Sequence, residues 1–175
     1  MTKIYKRNIF TNALSWAVPT EECLDAISTF VQSYTVIEVG CGAGFWASLL
    51  SLKGVSIIPT DPFLSHGSNG ENNFTAVEEL SAEQAIEKYQ DANVLMILWP
   101  SFNDDFAVNA LRNFTGNKLV FIGEGQGGCT ADYAFYDELS ENWENCNHIC
   151  LPNWEGIHDY CSFYQRNKSD EEKVD

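Results

Sequence analysis

The sequence predicts an α/β domain in which a mostly parallel sheet of seven strands carries helices on both faces. Strand-like and helix-like segments alternate five times along the chain, which is typical of an open parallel sheet. Residues 94–99 form a continuous apolar run, as expected for a central strand that is covered on both faces. A glycine-rich loop at residues 40–44 directly follows the first predicted strand and leads into a helix.

The individual elements follow from hydrophobic patterning and from turn residues. Residues 1–12 are expected to form an arm. A helix is predicted from Thr20, because Pro19 precedes it and two acidic residues follow in its first turn. Further helices are predicted from residue 45 to about residue 53, and over residues 81–89, 104–114 and 131–143. Strands are predicted over residues 35–40, 55–60, 74–77, 94–99, 118–123, 147–151 and 160–165.

These elements are expected to form a single domain over residues 1–166, with an N-terminal arm and helix in residues 1–33. The chain of 175 residues is close to the usual size of one domain and is long enough to bury a core. Residues 62–73 combine glycine and proline with many polar side chains and are predicted to be a loop. The charged residues 167–175 are predicted to be a mobile tail.

The composition is strongly acidic, with ten Lys and Arg against twenty-five Asp and Glu and a formal net charge of −15. Nucleic-acid binding draws much of its affinity from cationic side chains that displace counterions from phosphates. Three of the few basic residues, Lys3, Lys6 and Arg7, lie in the N-terminal arm. A nucleic-acid partner is therefore not expected, although a small local patch is left open.

The cysteines and the absence of export signals predict a cytoplasmic location, with the nucleus as the alternative. No basic-then-apolar segment begins the sequence, and no apolar run approaches the length of a membrane span. Free thiols are expected in such a reducing compartment. Because no apolar run is long enough to span a membrane, no membrane partner is expected. The six cysteines, which show no compact secreted framework, are Cys23, Cys41, Cys129, Cys146, Cys150 and Cys161.

A metal site is considered at Cys146, His148 and Cys150, because alternate residues of a strand share one face. The spacing provides only three ligands, and the segment is predicted to be a core strand rather than a closed zinc site. No metal is therefore predicted.

The glycine loop, residues 40–44, is the most informative motif of the chain. Glycines at every second position let the backbone bend tightly and approach a ligand closely. A dinucleotide-binding loop with the pattern G-x-G-x-x-G would require a third glycine where this chain has Phe45. The spacing therefore disfavours a nicotinamide dinucleotide. A tight turn that binds no ligand is the alternative interpretation.

Gly40, Gly42 and Gly44, with Glu38 two residues ahead of the first, resemble motif I of the class I S-adenosylmethionine (SAM)-dependent methyltransferases. Asp61, at the end of the second predicted strand, supports the resemblance, which spans roughly residues 34–165. It implies a Rossmann-like doubly wound fold and SAM as the cofactor.

The resemblance also implies how the cofactor is held. Backbone amides at the start of the helix would face the methionine carboxylate, because a helix N-terminus attracts negative groups. Glu38 would approach the ammonium group through water, and Asp61 would accept hydrogen bonds from the ribose diol. Val77 and Glu78 would flank the adenine. The predicted cofactor-binding residues are Glu38, Gly40, Cys41, Gly42, Gly44, Asp61, Val77, Glu78 and Trp99.

The loop after the fourth strand begins Trp99-Pro100-Ser101-Phe102. Amino-directed nucleic-acid methyltransferases carry Asn or Asp, two prolines and an aromatic residue at this point. The departures at Trp99 and Ser101 argue against methylation of a base amine by that mechanism. They leave Trp99 as an aromatic wall for cofactor or substrate, with ordinary packing as the alternative.

Catalytic residues are not specified by the sequence, and the candidates are His158, His66 and Trp99. An imidazole titrates near neutral pH and can act as a general base, with a position in a surface turn as the alternative for both histidines. Residues 123–130 form a second glycine loop with four glycines, which favours close approach of a ligand to the backbone near Glu124. A wide flexible connection is the alternative for this loop. Residues 15–20 are expected either to cover the cofactor cleft or to pack at a helix entry.

The sequence therefore predicts a SAM-dependent methyltransferase that acts on a small molecule or a protein side chain. Methyl transfer from a sulfonium needs positioning and exclusion of water more than a catalytic triad. The alternative is a non-catalytic module of the same fold that binds SAM, S-adenosylhomocysteine or a protein partner, because a fold does not determine a function.

Overall fold

The computed structural model describes residues 3–63 and 73–167. Most of the predicted loop at residues 62–73, including the candidate His66, and nearly all of the predicted tail at residues 167–175 lie outside these ranges. No helix in the described part of the chain has the length and apolar character that crossing a bilayer requires.

The described residues form one mixed sheet in the order β3-β2-β1-β4-β5-β7-β6. The first five strands are parallel, and β7 runs antiparallel to both β5 and β6. The fold class is thus confirmed, with an antiparallel strand near one edge. The strands are β1 Val36–Val39, β2 Ile57–Asp61, β3 Glu78–Glu79, β4 Val94–Leu98, β5 Lys118–Gly123, β6 Trp143–Cys150 and β7 Tyr160–Arg166.

Helices cover both faces of the sheet, and local caps start several of them. Thr20 accepts a hydrogen bond from the Cys23 amide at the start of the second helix, and Ser81 and Gln84 form a reciprocal capping box at the fourth. The helices are α1 Lys3–Ala13, α2 Glu21–Val31, α3 Phe45–Leu52, α4 Ala82–Lys88, α5 Phe106–Asn113 and α6 Tyr133–Asn142.

The apolar run of β4 is explained by a core on each side of the sheet. Leu95 points into a cluster with α4, α5 and α6, whereas Met96 points into a cluster with α2 and α3. Successive residues of a strand face opposite sides, so a central strand must be apolar throughout.

Neighbouring strands β1 and β4 mark the point where the chain reverses its direction across the sheet. From β1 the chain moves outward to β2 and β3, and it then returns to β4 on the other side of β1. In open α/β sheets such a switch point leaves a crevice beyond the carboxyl ends of the strands. The loops that follow β1, β2, β4 and β5 all reach this edge.

Three predicted elements differ in the structure. In place of the arm predicted over residues 1–12, the described residues Lys3–Ala13 form a helix. The strand predicted at residues 74–77 is instead the two-residue β3 at Glu78–Glu79, because residues 74–77 pack over the glycine loop, where the Phe74 amide donates to the Ala43 carbonyl. The segment predicted as a core strand at residues 147–151 belongs to β6, which starts at Trp143 and lies at the edge of the sheet.

The edge position of β6 follows from the insertion of β7 beside β5. Only Trp143 of β6 is buried, and Cys146 lies at an irregularity of the pairing between Asn145 and Asn147. Within residues 3–63 and 73–167, no group of three or more His, Cys, Asp or Glu side chains is placed to hold a metal ion.

Gly116→Ala is expected to destabilise the fold by about 1–3 kcal/mol, because overpacking a tight site forces its neighbours to move. A Cβ at this position would lie 2.3 Å from the Phe114 ring and 2.8 Å from the Asn93 carbonyl oxygen. The control is Gly125→Ala, where an added Cβ meets nothing within 4 Å and φ is not in the left-handed region. Urea unfolding measures both changes, and equal losses of stability would contradict this account.

Candidate functional site

The glycine loop bends the chain sharply out of β1. Gly40, Gly42 and Gly44 have φ values of +68°, +57° and +72°, which L side chains rarely adopt. A Cβ at Gly40 would lie 3.0 Å from the Phe106 ring, and one at Gly44 would lie 2.8 Å from the Thr75 methyl group. A Cβ at Gly42 would meet nothing within 4 Å. Close packing is thus a second reason for glycine at positions 40 and 44. At Gly42 the backbone is exposed, with no neighbouring atom in the place of a side chain.

Gly42 faces a cavity of about 560 Å³ at the carboxyl ends of β1, β2 and β4, which we call the first cavity. Its volume lies in the range of about 300–1,000 Å³ that is usual for small-molecule sites. Gly40, Cys41, Asp61 and Trp99 line it as well. The segment from Thr11 to Trp16 closes one side, together with the loop residues Pro100, Ser101 and Asp104.

Asp61 is held at the base of the first cavity by two backbone amides. Its Oδ2 accepts a hydrogen bond from the Gly42 amide at 2.8 Å, and its Oδ1 accepts one from the Phe63 amide at 2.9 Å. The Cys41 amide donates to the Thr60 carbonyl, which adds a second link between the glycine loop and β2. The carboxylate is therefore fixed in position, and each oxygen keeps capacity for one further donor.

Glu38 is a carboxyl group buried in β1 without a partner for one oxygen. The residue is 1% exposed, and its Oε2 has no hydrogen-bond partner in the described structure. Burial, and secondarily the charge of Asp61, raise the pKa of Glu38 to about 8. The group is thus mostly protonated at neutral pH, and a nearby cation would favour its ionised form. Burial and the same two carboxylates also raise the pKa of the Cys41 thiol.

Trp99 connects the loop after β4 to the N-terminal segment and to the start of β7. Its φ of +48° is unusual for a residue with a bulky side chain. Its indole stacks on Trp16 at 5.2 Å between centroids and 15° between planes, and its Nε1 donates to Asp159 Oδ1 at 2.8 Å. The Arg7 guanidinium lies 5.2 Å from the Trp16 ring and 5.6 Å from the Trp99 ring. Trp99 thus lines the first cavity and packs against Trp16, and its role as a wall for cofactor or substrate stays a prediction.

Asp159 was not a candidate from the sequence, yet it is fully buried beside Trp99. Burial raises its pKa to about 6, although the hydrogen bond from Trp99 and the charges of Arg7 and His158 oppose this effect. Its Oδ2 has no hydrogen-bond partner among the described residues. No sequence signal marks this residue, because its burial depends on β4 and β7 lying at opposite sides of β5.

Val77 and Glu78 do not line the first cavity. Val77 packs beside Gly44, and the Glu78 carboxylate accepts hydrogen bonds from the Lys88 ammonium and the Tyr89 hydroxyl. The aromatic residues Phe63 and Phe74 line this side of the cavity instead and remain largely exposed. Sequence reasoning missed them because Phe63 falls in the predicted loop at residues 62–73 and Phe74 in the predicted strand at residues 74–77, and neither assignment indicates a ligand.

His158 lies at a second cavity, which has a volume of about 520 Å³. The Glu124 carboxylate forms its buried side and accepts hydrogen bonds from the His158 amide and from the amide and thiol of Cys129, each at 2.8 Å. The His158 side chain is 71% exposed, with Nδ1 3.7 Å from Glu124 Oε1. The remaining lining residues are Phe102, Gly125, Gln126, Gly127, Gly128 and Gly156.

No protein-family model matches the chain, and no curated protein sequence matches it significantly. Solved structures do match its fold. A 1,6-didemethyltoxoflavin-N1-methyltransferase from Burkholderia thailandensis, with S-adenosylhomocysteine bound, has a TM-score of 0.61 and 10% identity over 95% of this chain and 84% of that chain. Magnesium protoporphyrin IX methyltransferase from Synechocystis PCC 6803, with SAM bound, has a TM-score of 0.57 and 10% identity over 94% and 97%.

The chain has the class I methyltransferase fold. A protein of the NADB-Rossmann superfamily from Streptococcus agalactiae is also similar, with a TM-score of 0.57 and 12% identity over 88% of this chain and 72% of that chain. At these identities the likeness extends to the fold, and the chemistry of this methyltransferase-fold chain must be argued from its own residues.

Glu38→Gln is expected to flatten the pH dependence of stability. The pKa of Glu38 is about 8 in the fold against an ordinary value of 4.5, so the unfolded chain loses this proton first as pH rises. The contribution of Glu38 to the free energy of unfolding therefore falls as pH rises between these two values and is constant outside them. The amide does not titrate, so the variant gains on the order of a few kcal/mol relative to the wild type at pH 8.

Urea unfolding between about pH 6.5 and 8 measures this effect above the range in which Asp159 titrates. Glu79→Gln, at an exposed position, is the matched control and should leave the slope unchanged. Parallel pH profiles for the wild type and Glu38→Gln would show that Glu38 is not a buried neutral acid.

Trp99→Phe is expected to cost about 1–3 kcal/mol, because it leaves both oxygens of the buried Asp159 without a donor. A double-mutant cycle with Asp159→Leu isolates the coupling between the two side chains. Trp16→Phe keeps a ring stacked on Trp99 and serves as the control. A coupling energy near zero in the cycle would mean that this hydrogen bond does not hold the loop.

Proposed function

We propose that this chain binds SAM in the first cavity and transfers its methyl group to a small molecule or a protein side chain. The observation that carries the proposal is the bare backbone at Gly42, which faces the first cavity beside the fixed carboxylate of Asp61. The methyltransferases of similar fold with SAM or S-adenosylhomocysteine bound support the same assignment.

The residues of the first cavity suit the three polar parts of SAM. The N-terminus of α3, which begins at Phe45 directly after the glycine loop, would face the methionine carboxylate. Glu38, with its unpartnered oxygen, would balance the ammonium group, and that positive charge would lower its pKa from about 8. Asp61 would accept hydrogen bonds from the ribose hydroxyls with the lone pairs that the two amides leave free.

The apolar surface for the adenine is best provided by Phe63 and Phe74. Both line the first cavity, and Phe74 packs edge-on against Phe45 at 5.0 Å between ring centroids. Val77 and Glu78, which the family resemblance predicted beside the adenine, do not line the first cavity. Trp99 forms the wall on the side of the loop after β4.

Bound SAM would supply an electrophilic methyl carbon attached to its own leaving group. The chain then contributes position, a dry environment and charge balance. The stacked indoles of Trp16 and Trp99 shield one side of the first cavity, and Arg7 holds them together. No side chain of the first cavity needs to act as a nucleophile, and the Cys41 thiol, whose pKa is raised, is unsuited to do so.

The partners and the location follow from charge and thiol chemistry. A net charge of −15 opposes broad contact with nucleic acid. All six cysteines are free, which supports a reducing compartment such as the cytoplasm, with the nucleus as the alternative.

Calorimetry with SAM and S-adenosylhomocysteine tests the proposal, with Gly42→Arg and Gly54→Arg as a matched pair. Both glycines have positive φ and open space at Cβ, so the backbone cost is similar, but only Gly42 faces the first cavity. We expect the wild type and Gly54→Arg to bind, and Gly42→Arg to lose at least about tenfold in affinity.

Absence of wild-type binding at millimolar SAM would end the proposal. Equal affinity of the two arginine variants would place the cofactor elsewhere. Binding without transfer to any acceptor would instead identify a non-catalytic module, and a titration with NAD is the negative control.

A further inference from the structure

The second cavity lies next to the first cavity along the same edge of the sheet. The loop after β4 contributes to both, since Pro100 and Ser101 line the first cavity and Phe102 lines the second. The second glycine loop and the connection between β6 and β7 complete it through Glu124, Gly156 and their neighbours. The geometry thus provides two adjoining spaces separated by a few residues of one loop.

Bare backbone forms much of the second cavity. A Cβ added at Gly125, Gly127 or Gly156 would meet nothing within 4 Å, so these glycines are not required by packing against neighbours. Gly128 differs, because a Cβ there would lie 2.4 Å from the Glu124 Cβ. Gly128 therefore closes the loop around Glu124. Gly127 and Gly156 have φ values of +89° and +80°, which favour glycine for the turn itself, whereas Gly125 is subject to neither constraint. None of these three glycines places a side chain in the cavity.

The buried side of the second cavity is negative. Burial acts to raise the pKa of Glu124, but the hydrogen bonds from the Cys129 thiol and amide and from the His158 amide outweigh it, so the pKa lies below its usual value. Cys129 adds no thiolate, because burial and its bond to Glu124 raise its pKa to about 11. Glu124 is therefore an anion at neutral pH with a side chain only 7% exposed.

Hydrogen bonds stabilise the Glu124 carboxylate, but no described cationic side chain forms a close ion pair with it. His158 is near Glu124, but its Nδ1 is 3.7 Å from the carboxylate oxygen and its ring is mostly exposed. Arg7 lies over the Trp16 and Trp99 rings instead. A ligand with positive charge is favoured here, and the 64% exposed ring of Phe102 offers it an aromatic surface.

We propose that the second cavity binds the methyl acceptor, and that this acceptor is an aliphatic amine attached to an aromatic or apolar group. The inference rests on the proposed function of the first cavity. Glu124 would attract the ammonium form, and Phe102 would contact the apolar part. For the reaction, the bound ammonium first gives one proton to His158, which leaves a lone pair on the amine nitrogen. That nitrogen forms the bond to the methyl carbon, and the carbon–sulfur bond breaks with its electron pair left on sulfur. The products are the methylated ammonium ion and the neutral thioether.

Titration of ¹⁵N-labelled protein with phenethylamine, 2-phenylethanol and phenylacetate tests the inference by NMR. The three probes share a phenyl ring and differ in charge. We expect phenethylamine to shift the amide signals of Gly125, Gly127 and Gly156, and to bind at least about tenfold more tightly than the other two probes. Equal binding of 2-phenylethanol, stronger binding of phenylacetate, or no shift at millimolar phenethylamine would overturn it.

Gly125→Leu fills the second cavity without a backbone clash and should weaken phenethylamine binding by at least about tenfold, whereas Gly125→Ala should change it little. The spectrum of each variant shows directly whether it is folded. Unchanged binding by Gly125→Leu would remove the second cavity as the site.

The same spectra separate this inference from the proposed function. SAM is followed at the amides of Gly40, Gly42 and Gly44, and phenethylamine at those of the second cavity. If phenethylamine binds and SAM does not, the proposed function fails and with it the role of acceptor. If SAM binds and phenethylamine does not, only the amine assignment fails.

Discussion

The left-handed bend after β1 is the constraint on which the first cavity and the position of Asp61 depend. A helix that starts directly after a buried parallel strand requires the chain to reverse within a few residues, and three alternating glycines with positive φ allow this. The bend also directs the Gly42 amide toward Asp61, so that one hydrogen bond joins the end of β2 to the glycine loop that precedes α3. The first cavity is the space that remains when this backbone carries no side chain at Gly42.

Buried carboxyl groups recur near the same edge of the sheet, and they differ in their hydrogen bonds and in the direction of their pKa shifts. Glu38 is buried without compensation and has a raised pKa, whereas Glu124 accepts three hydrogen bonds and has a lowered one. Asp159 is intermediate, with one oxygen bonded to Trp99 and the other unpartnered. Uncompensated acids destabilise a fold, so their concentration near the carboxyl ends of the strands is typical of a functional site rather than of a stabilised surface.

Aromatic residues connect the segments that surround the two cavities. The Trp16 and Trp99 pair joins the N-terminal segment to the loop after β4, and Asp159 joins that loop to the start of β7. Trp99, whose backbone conformation is itself unusual, therefore links the N-terminal segment, the loop after β4 and the start of β7. Helix α1 leads directly into residues 14–16, which line the first cavity.

The sequence by itself determined the order of elements from α2 onward, the double-sided apolar character of β4, and the positions of the glycine loop and Asp61, because periodicity and backbone freedom are local properties. It did not determine where β6 lies. That strand was expected in the core from its apolar residues, and it became an edge strand only because β7 inserts beside β5. The same is true of the buried pair of Trp99 and Asp159, which are sixty residues apart and meet through pairing of distant strands. Burial, and with it the pKa of each acid, depends on which long-range contacts form, and only the tertiary structure decides these.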